Sequence, residues 1–251
     1  MSGLIYITEE EVRERINREA TLAQSQGKDF IRNSNDYSSH LIDVGKKGKE
    51  ISEIILSKNP DLDYCLNSNI PLVAGFFHDF EKIWVGDAYH EIYGAHKILN
   101  DGEELGLVKG GTSEERRNTL VRIASCLPGD AALLEELGNN FPITAEYPEH
   151  VTSELINKYQ SLLKELPMDE KNFAIPDTLE KMIALYADFT DGGITIEQRL
   201  KDIHNRYAKV VDNLDTPPKE AKMIKHRRDL IKKASPRILA AGWIIEQLLK
   251  H

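Results

Sequence analysis

Cysteine is scarce in this chain: 251 residues include Cys65 and Cys126 and no others. The two lie far apart and form no CxxC pattern, which excludes a disulfide framework and a zinc ribbon and is typical of a reducing compartment. Long apolar runs are missing as well, and residues 239–245 are far too few to cross a bilayer. The opening MSGLIYITEEEV lacks the basic start and apolar core of a signal peptide. We therefore expect a cytoplasmic protein that binds no membrane.

Positive charge is in the minority. The chain has 32 Lys and Arg against 41 Asp and Glu, a net charge of -9. An acidic protein has no overall field that attracts DNA or RNA, so we expect no nucleic-acid partner. One stretch reverses this sign, because residues 219–237 hold eight Lys or Arg against Glu220 and Asp229. We interpret it as a solvated helix face in preference to a polyanion site.

Alternation with period two is also missing, whereas apolar residues recur with helical spacing along most of the chain. The sequence therefore predicts an all-α protein. Thr8 followed by Glu11 is typical of a capping box, and Pro60 and Pro128 are expected helix stops. The predicted helices span residues 9–24, 35–57, 71–84, 86–99, 113–127, 129–137, 150–165, 177–189, 195–213, 217–233 and 236–250.

The predicted loops at residues 138–148 and 167–176 are too short to be convincing domain linkers. We therefore expect one domain over residues 1–251, a bundle of about ten helices. Its metal-binding core is predicted at about 30–210, and residues 211–251 could form a C-terminal helical appendage.

The segment GFFHDFEK at residues 75–82 is the most informative part of the sequence. Its flanks are apolar, so we expect the helix to be buried, and a buried carboxylate needs a compensating partner such as a divalent cation. On one continuous helix its four polar side chains would share a face of about 160°. His78 and Asp79 suit a metal that accepts nitrogen and oxygen ligands. Glu81 could orient or deprotonate water, and Lys82 could pair with a phosphate oxygen.

Other predicted helices offer matching groups. His40 lies among apolar neighbours and, taken alone, suits a satisfied core or surface histidine better than a ligand. Asp188 ends the apolar run MIALYAD, where it could cap a turn, pair with an arginine or bind a metal. His90 could point at the same site. Arg199 and Arg206 could hold a phosphate, although surface salt bridges with Glu197 or Asp202 are the more ordinary reading.

In this order, the motifs resemble the HD superfamily of metal-dependent phosphohydrolases. HDFEK is similar to the family's HD-x-x-K core, and SSHLIDVGKKGKEIS contains the counterpart of its first histidine. YHEIYGAHKIL resembles the following helix, and LYADFTD resembles the last motif, which IEQRLKDIHNRY follows as it often does in the family. The resemblance covers residues 40–188 and involves His40, His78, Asp79, Lys82, His90, Gly94 and Asp188.

The resemblance implies hydrolysis of a nucleotide or another small phosphoester by metal-activated water. One divalent transition metal (Mn, Fe, Co, Ni or Zn, with Mg also compatible) is expected. The implied metal ligands are His40, His78, Asp79 and Asp188. The expected catalytic residues are Asp79, Glu81 and Lys82. The expected substrate-binding residues are Lys82, His90, Arg199 and Arg206.

The chain departs from the family at residues 121–128, VRIASCLP, where members with two or three metals usually carry histidine. This counts against a binuclear site, a cyclic-dinucleotide phosphodiesterase and a di-iron oxygenase. Three alternatives stay open: a metal-binding nucleotide sensor without turnover, an iron-dependent oxygenase of the same fold, and a structural helical protein. The sequence does not name the substrate, and it is compatible with a homodimer.

Overall fold

The computed structural model describes residues 3–28, 33–85, 90–127, 176–214, 216 and 218–250. The predicted helices at 129–137 and 150–165, and nearly all of both predicted loops, lie outside these ranges. The described part is mostly helical, which confirms the all-α prediction. Within it, no helix is both long enough and apolar enough to cross a membrane.

The secondary structure consists of helices with one small pair of strands. The elements are β1 (Ile5–Tyr6), α1 (Glu9–Ser25), α2 (Ser34–Lys58), a 3-10 turn (Pro60–Leu62), α3 (Asn69–Phe77), α4 (Lys82–Val85), α5 (His90–Asp101), β2 (Val108–Lys109), α6 (Ser113–Cys126), α7 (Leu179–Phe189), a 3-10 turn (Asp191–Gly193), α8 (Ile196–Asp212) and α9 (Pro218–Lys250).

Helix starts follow the predicted capping chemistry in most places. The Thr8 side chain accepts from the Glu11 amide, and the Glu11 carboxylate accepts from the Thr8 amide, which is the predicted capping box. A second capping box at Thr112 begins α6. The predicted cap of α2 at Asn35 or Asp36 is wrong by two or three residues, because the Asn33 side chain accepts from both of their amides.

The predicted third helix is wrong in its second half, because α3 ends at Phe77 and α4 begins at Lys82. His78 Nδ1 lies 2.7 Å from the Gly75 carbonyl oxygen, which the Asp79 amide would take in a continuing helix. The chain then tightens into i→i+3 turns, in which the Lys82 amide donates to the Asp79 carbonyl at 2.8 Å. The polar residues of the motif therefore lie on a turn, and the predicted single helix face does not exist.

The predicted break between residues 233 and 236 is wrong as well, because α9 runs on through Pro236. Proline disfavours a helix interior by removing one amide donor and crowding the preceding turn. Here Ala234 and Ile238, on either side of the proline, are buried in one cluster with Leu200 of α8. This packing on both sides holds the helix together across the proline. The antiparallel pairing of β1 with β2 covers two residues on each strand, too few for a periodic sequence signal.

The helices α2 and α3 cross at two glycines. A Cβ on Gly75 would lie 2.5 Å from the Gly45 Cα, and a Cβ on Gly45 would lie 2.5 Å from the Leu72 carbonyl oxygen. Real side chains do not approach backbone so closely, so both glycines are needed for this crossing. The crossing brings the His40 and His78 rings to a centroid separation of 5.3 Å with an interplanar angle of 72°.

Candidate metal centre

His78 stands at the C-terminal end of α3 and is 9% exposed. Its Nδ1 can only donate to the Gly75 carbonyl oxygen, so that nitrogen carries the proton and Nε2 holds a lone pair. Among the described residues, no hydrogen-bond partner meets this buried Nε2. Such an atom needs a partner, and a metal ion is one that fits a neutral imidazole nitrogen.

His40 comes from α2 and faces His78. Its Nδ1 lies 2.9 Å from Oδ2 of Asp191, in the turn that follows α7. Because this carboxylate occupies Nδ1, Nε2 is the nitrogen left for a metal. A carboxylate behind a ligating histidine is the usual arrangement in metal sites, where it fixes the ring and raises its basicity.

Asp188 completes the group from the end of α7. Its Oδ1 lies 3.5 Å from His78 Nε2. One ligand atom from each of His40, His78 and Asp188 can be chosen so that all lie within 4.8 Å of one another. Two donor atoms that share a transition metal at about 2.1 Å lie roughly 3.0–3.5 Å apart. Three of the four predicted ligands therefore converge from three parts of the chain. The His78–Asp188 separation lies at the upper end of that range, and separations of up to 4.8 Å would have to shorten around an ion.

Asp79, the fourth predicted ligand, lies beside this group. Its Oδ2 lies 3.6 Å from His78 Nε2 and 2.5 Å from Lys82 Nζ, and its Oδ1 lies 2.8 Å from His90 Nε2. Burial opposes the ionised form, but the nearby His78 ring and the contacts with His90 and Lys82 outweigh it and hold the pKa of Asp79 well below its usual range. Asp79 as a fourth ligand stays a prediction.

Glu81 turns away to α5, where Lys97 Nζ lies 3.1 Å from its Oε1. Burial raises the pKa of the Glu81 carboxyl, although Lys97 pulls it in the opposite direction. Of the three predicted catalytic residues, Asp79 and Lys82 thus contact each other beside His78, and Glu81 is bound to another helix. A role for Glu81 in activating water also stays a prediction.

The two arginines of α8 have different surroundings. Arg199 donates from Nε to the Phe189 carbonyl at 3.2 Å and from Nη2 to the Asp191 carbonyl at 2.8 Å. The Arg206 guanidinium lies 5.6 Å from the centre of the Tyr207 ring. Arg199 thus binds the segment that carries Asp188, and binding of a phosphate by either arginine stays a prediction.

Two residues at this site were missed from the sequence. Lys47 Nζ donates to the Thr190 carbonyl at 2.5 Å, and burial lowers the pKa of Lys47. Asp191 holds His40. The signals were present: Lys47 follows His40 by seven residues and so shares its helix face, and Asp191 is the second aspartate of LYADFTD.

Compared with models of protein families, with curated proteins and with solved structures, the chain gives no match. The likeness to the HD superfamily therefore rests on this chain's own sequence motifs.

Proposed function

We propose that this protein is a metal-dependent phosphohydrolase that acts on a nucleotide or another small phosphoester. The observation that carries the proposal is the buried Nε2 of His78, which lacks a hydrogen-bond partner among the described residues and lies next to His40 and Asp188. The resemblance to the HD superfamily supplies the reaction class, and the convergence of three predicted ligands supports it.

The candidate centre is open on one side. The side chains of His40 and Asp188 are 34% and 40% exposed, whereas that of His78 is 11% exposed. A small phosphoester can reach these exposed ligands. A divalent cation held there would supply a Lewis acid and a water of lowered pKa. The chain would contribute the metal ligands and the ammonium group of Lys82, which lies beside Asp79.

In this proposal Lys82 and His90 both position the Asp79 carboxylate. Both contact the Asp79 carboxylate, one at each oxygen. They therefore fix the orientation of that carboxylate and offset its charge, so that it is held ready to orient a water molecule or to bind the metal. Lys82 is also partly exposed, and its positive charge suits a phosphate oxygen.

The proposal is tested by a phosphatase and phosphodiesterase screen over nucleotides, repeated with Mn²⁺, Co²⁺, Ni²⁺ and Mg²⁺. The His78→Ala variant, purified in parallel, controls for contaminating phosphatases. Metal-dependent turnover that disappears in the variant supports a phosphohydrolase. Tight nucleotide and metal binding without turnover would indicate the sensor instead, and oxygen consumption by the iron-loaded protein would indicate an oxygenase.

Asp188→Asn is expected to weaken metal binding sharply, because an amide oxygen is a much weaker ligand than a carboxylate. The metal-free protein should tolerate the change, since the side chain keeps its shape and one negative charge is gone. The measurement is the rise in melting temperature on adding Mn²⁺, which depends on affinity. Equal rises in the variant and in wild type would show that Asp188 is not a ligand. Asp79→Asn, measured in the same way, decides whether Asp79 is the fourth ligand.

Lys82→Ala is expected to lower kcat/KM on the best substrate about 100-fold, because one preorganised charge contact contributes about 3 kcal/mol to transition-state stabilisation. Metal affinity should change far less, because Lys82 is not a ligand. Lys46→Ala is the matched control. Lys46 lies on α2, the helix that carries His40, and forms an exposed ion pair with Glu9 of α1. Unchanged kcat/KM in Lys82→Ala would contradict the role.

A further inference from the structure

The end of α7 and the turn that follows it carry two carboxylates of the candidate centre. Asp188 lies one residue before the end of α7, and Asp191 begins the 3-10 turn after it. Asp188 contacts His78, and Asp191 contacts His40. The position of this short segment therefore sets one proposed ligand directly and orients a second one.

The carbonyl groups of this segment are held by cations from two other helices. The last carbonyls of a helix have no intrahelical partner and need one from elsewhere. Arg199 of α8 donates to the carbonyls of Phe189 and Asp191, and Lys47 of α2 donates to that of Thr190. Three consecutive carbonyls are thus bound by two charged side chains.

The turn also has hydrogen bonds of its own, because the Thr190 amide and hydroxyl donate to the Tyr186 carbonyl and the Gly193 amide donates to the Thr190 carbonyl. Gly192 and Gly193 follow at φ of 76° and 75°, and no atom of the described chain lies within 4 Å of a Cβ built on either one. Glycine gives the backbone freedom, and open space gives it no packing restraint. The two cations therefore tie this turn to α2 and α8, which its own hydrogen bonds do not do. Because Lys47 and His40 lie two turns apart on α2, the same helix supplies a proposed ligand and part of the restraint.

We propose that Asp191, Lys47 and Arg199 are positioning residues that set the metal affinity of the centre, an inference that rests on the proposed metal site. Asp191 fixes the His40 ring so that Nε2 faces His78. Lys47 and Arg199 hold the backbone that presents Asp191 and Asp188. The structure thus gives Arg199 a role in the protein itself, whereas the sequence suggested substrate binding.

The first test compares Asp191→Ala with wild type in the full-length chain. We expect affinity for Mn²⁺ and Co²⁺, measured by titration calorimetry, to fall 10- to 100-fold, the usual effect of removing a carboxylate behind a ligating histidine. The visible absorption spectrum of bound Co²⁺ should also shift, because the His40 ring is released. Asp191→Asn should retain part of the affinity, since its amide oxygen can still accept from Nδ1. Asp202→Asn controls for charge on the exposed face of α8.

The second test is Lys47→Met, which keeps most of the apolar stem and removes the donor. We expect weaker Co²⁺ binding with a metal-free melting temperature near that of wild type, and Lys49→Met on the solvent side of α2 should change neither. Wild-type affinity and an unshifted Co²⁺ spectrum in both Asp191→Ala and Lys47→Met would overturn the inference and leave the metal site standing. A wild-type protein that binds neither ion would overturn both.

Discussion

His78→Ala is expected to abolish tight binding of Mn²⁺ and Co²⁺ by the full-length chain. The imidazole Nε2 is central to the site, because it lies 3.5 Å from Asp188 Oδ1 and 3.6 Å from Asp79 Oδ2. A metal at 100 times its dissociation constant adds about 2.7 kcal/mol to the free energy of unfolding. For a chain of this length that corresponds to a rise of about 5–10 °C in melting temperature. We expect the rise in wild type and its loss in the variant.

His96→Ala is the matched control. His96 lies on α5, is partly exposed and contacts the Asn100 side chain one turn along the helix. Its removal takes away an imidazole of the same chemistry without touching the candidate centre. The control should keep the full response to metal. If His78→Ala gains as much stability on adding Mn²⁺ as the control does, His78 is not a ligand, and the buried lone pair of its Nε2 has another explanation.

The sequence predicted the helices whose ends are marked by local chemistry. Thr8 and Thr112 each begin a helix through a side chain that meets the amide three residues on, and this signal is contained in four residues. The break at His78 and the continuation of α9 through Pro236 could not be predicted in the same way. At His78 the imidazole forms a hydrogen bond with the Gly75 carbonyl inside an apolar run, so the helix ends there. At Pro236 packing against α8 stabilises a helix that proline would otherwise interrupt.

The candidate centre was also predicted in part: its proposed ligands were, and the residues that position them were not. His40, His78 and Asp188 lie in recognisable sequence motifs, and the structure brings their ligand atoms within 4.8 Å of one another. The residues behind them were not predicted, because their roles depend on contacts across 143 and 151 positions of sequence, from Lys47 to Thr190 and from His40 to Asp191. Periodicity places a residue on a helix face, but it does not say which distant turn packs against that face.

Gly75→Ala is expected to destabilise the whole protein, because the new Cβ would meet the backbone of Gly45 at 2.5 Å. Overpacking commonly costs about 1–3 kcal/mol when side chains can yield, and here the neighbour is main chain at a helix crossing, so we expect about 3 kcal/mol or more. The melting temperature of the metal-free protein should fall by at least about 6–12 °C in a chain of this size. Thermal denaturation followed by circular dichroism measures it.

Gly3→Ala is the control, because a Cβ there meets nothing within 4 Å among the described residues. The crossing also sets the metal centre: the Gly75 carbonyl accepts from His78 Nδ1, and α2 carries His40 against it. Moving α2 and α3 apart by even a few tenths of an ångström separates the two imidazoles. Gly75→Ala should therefore lose metal affinity together with stability, whereas His78→Ala loses the metal affinity and keeps the crossing. If Gly75→Ala has the melting temperature of wild type, the two helices can separate freely. The crossing would then not be what holds His40 against His78.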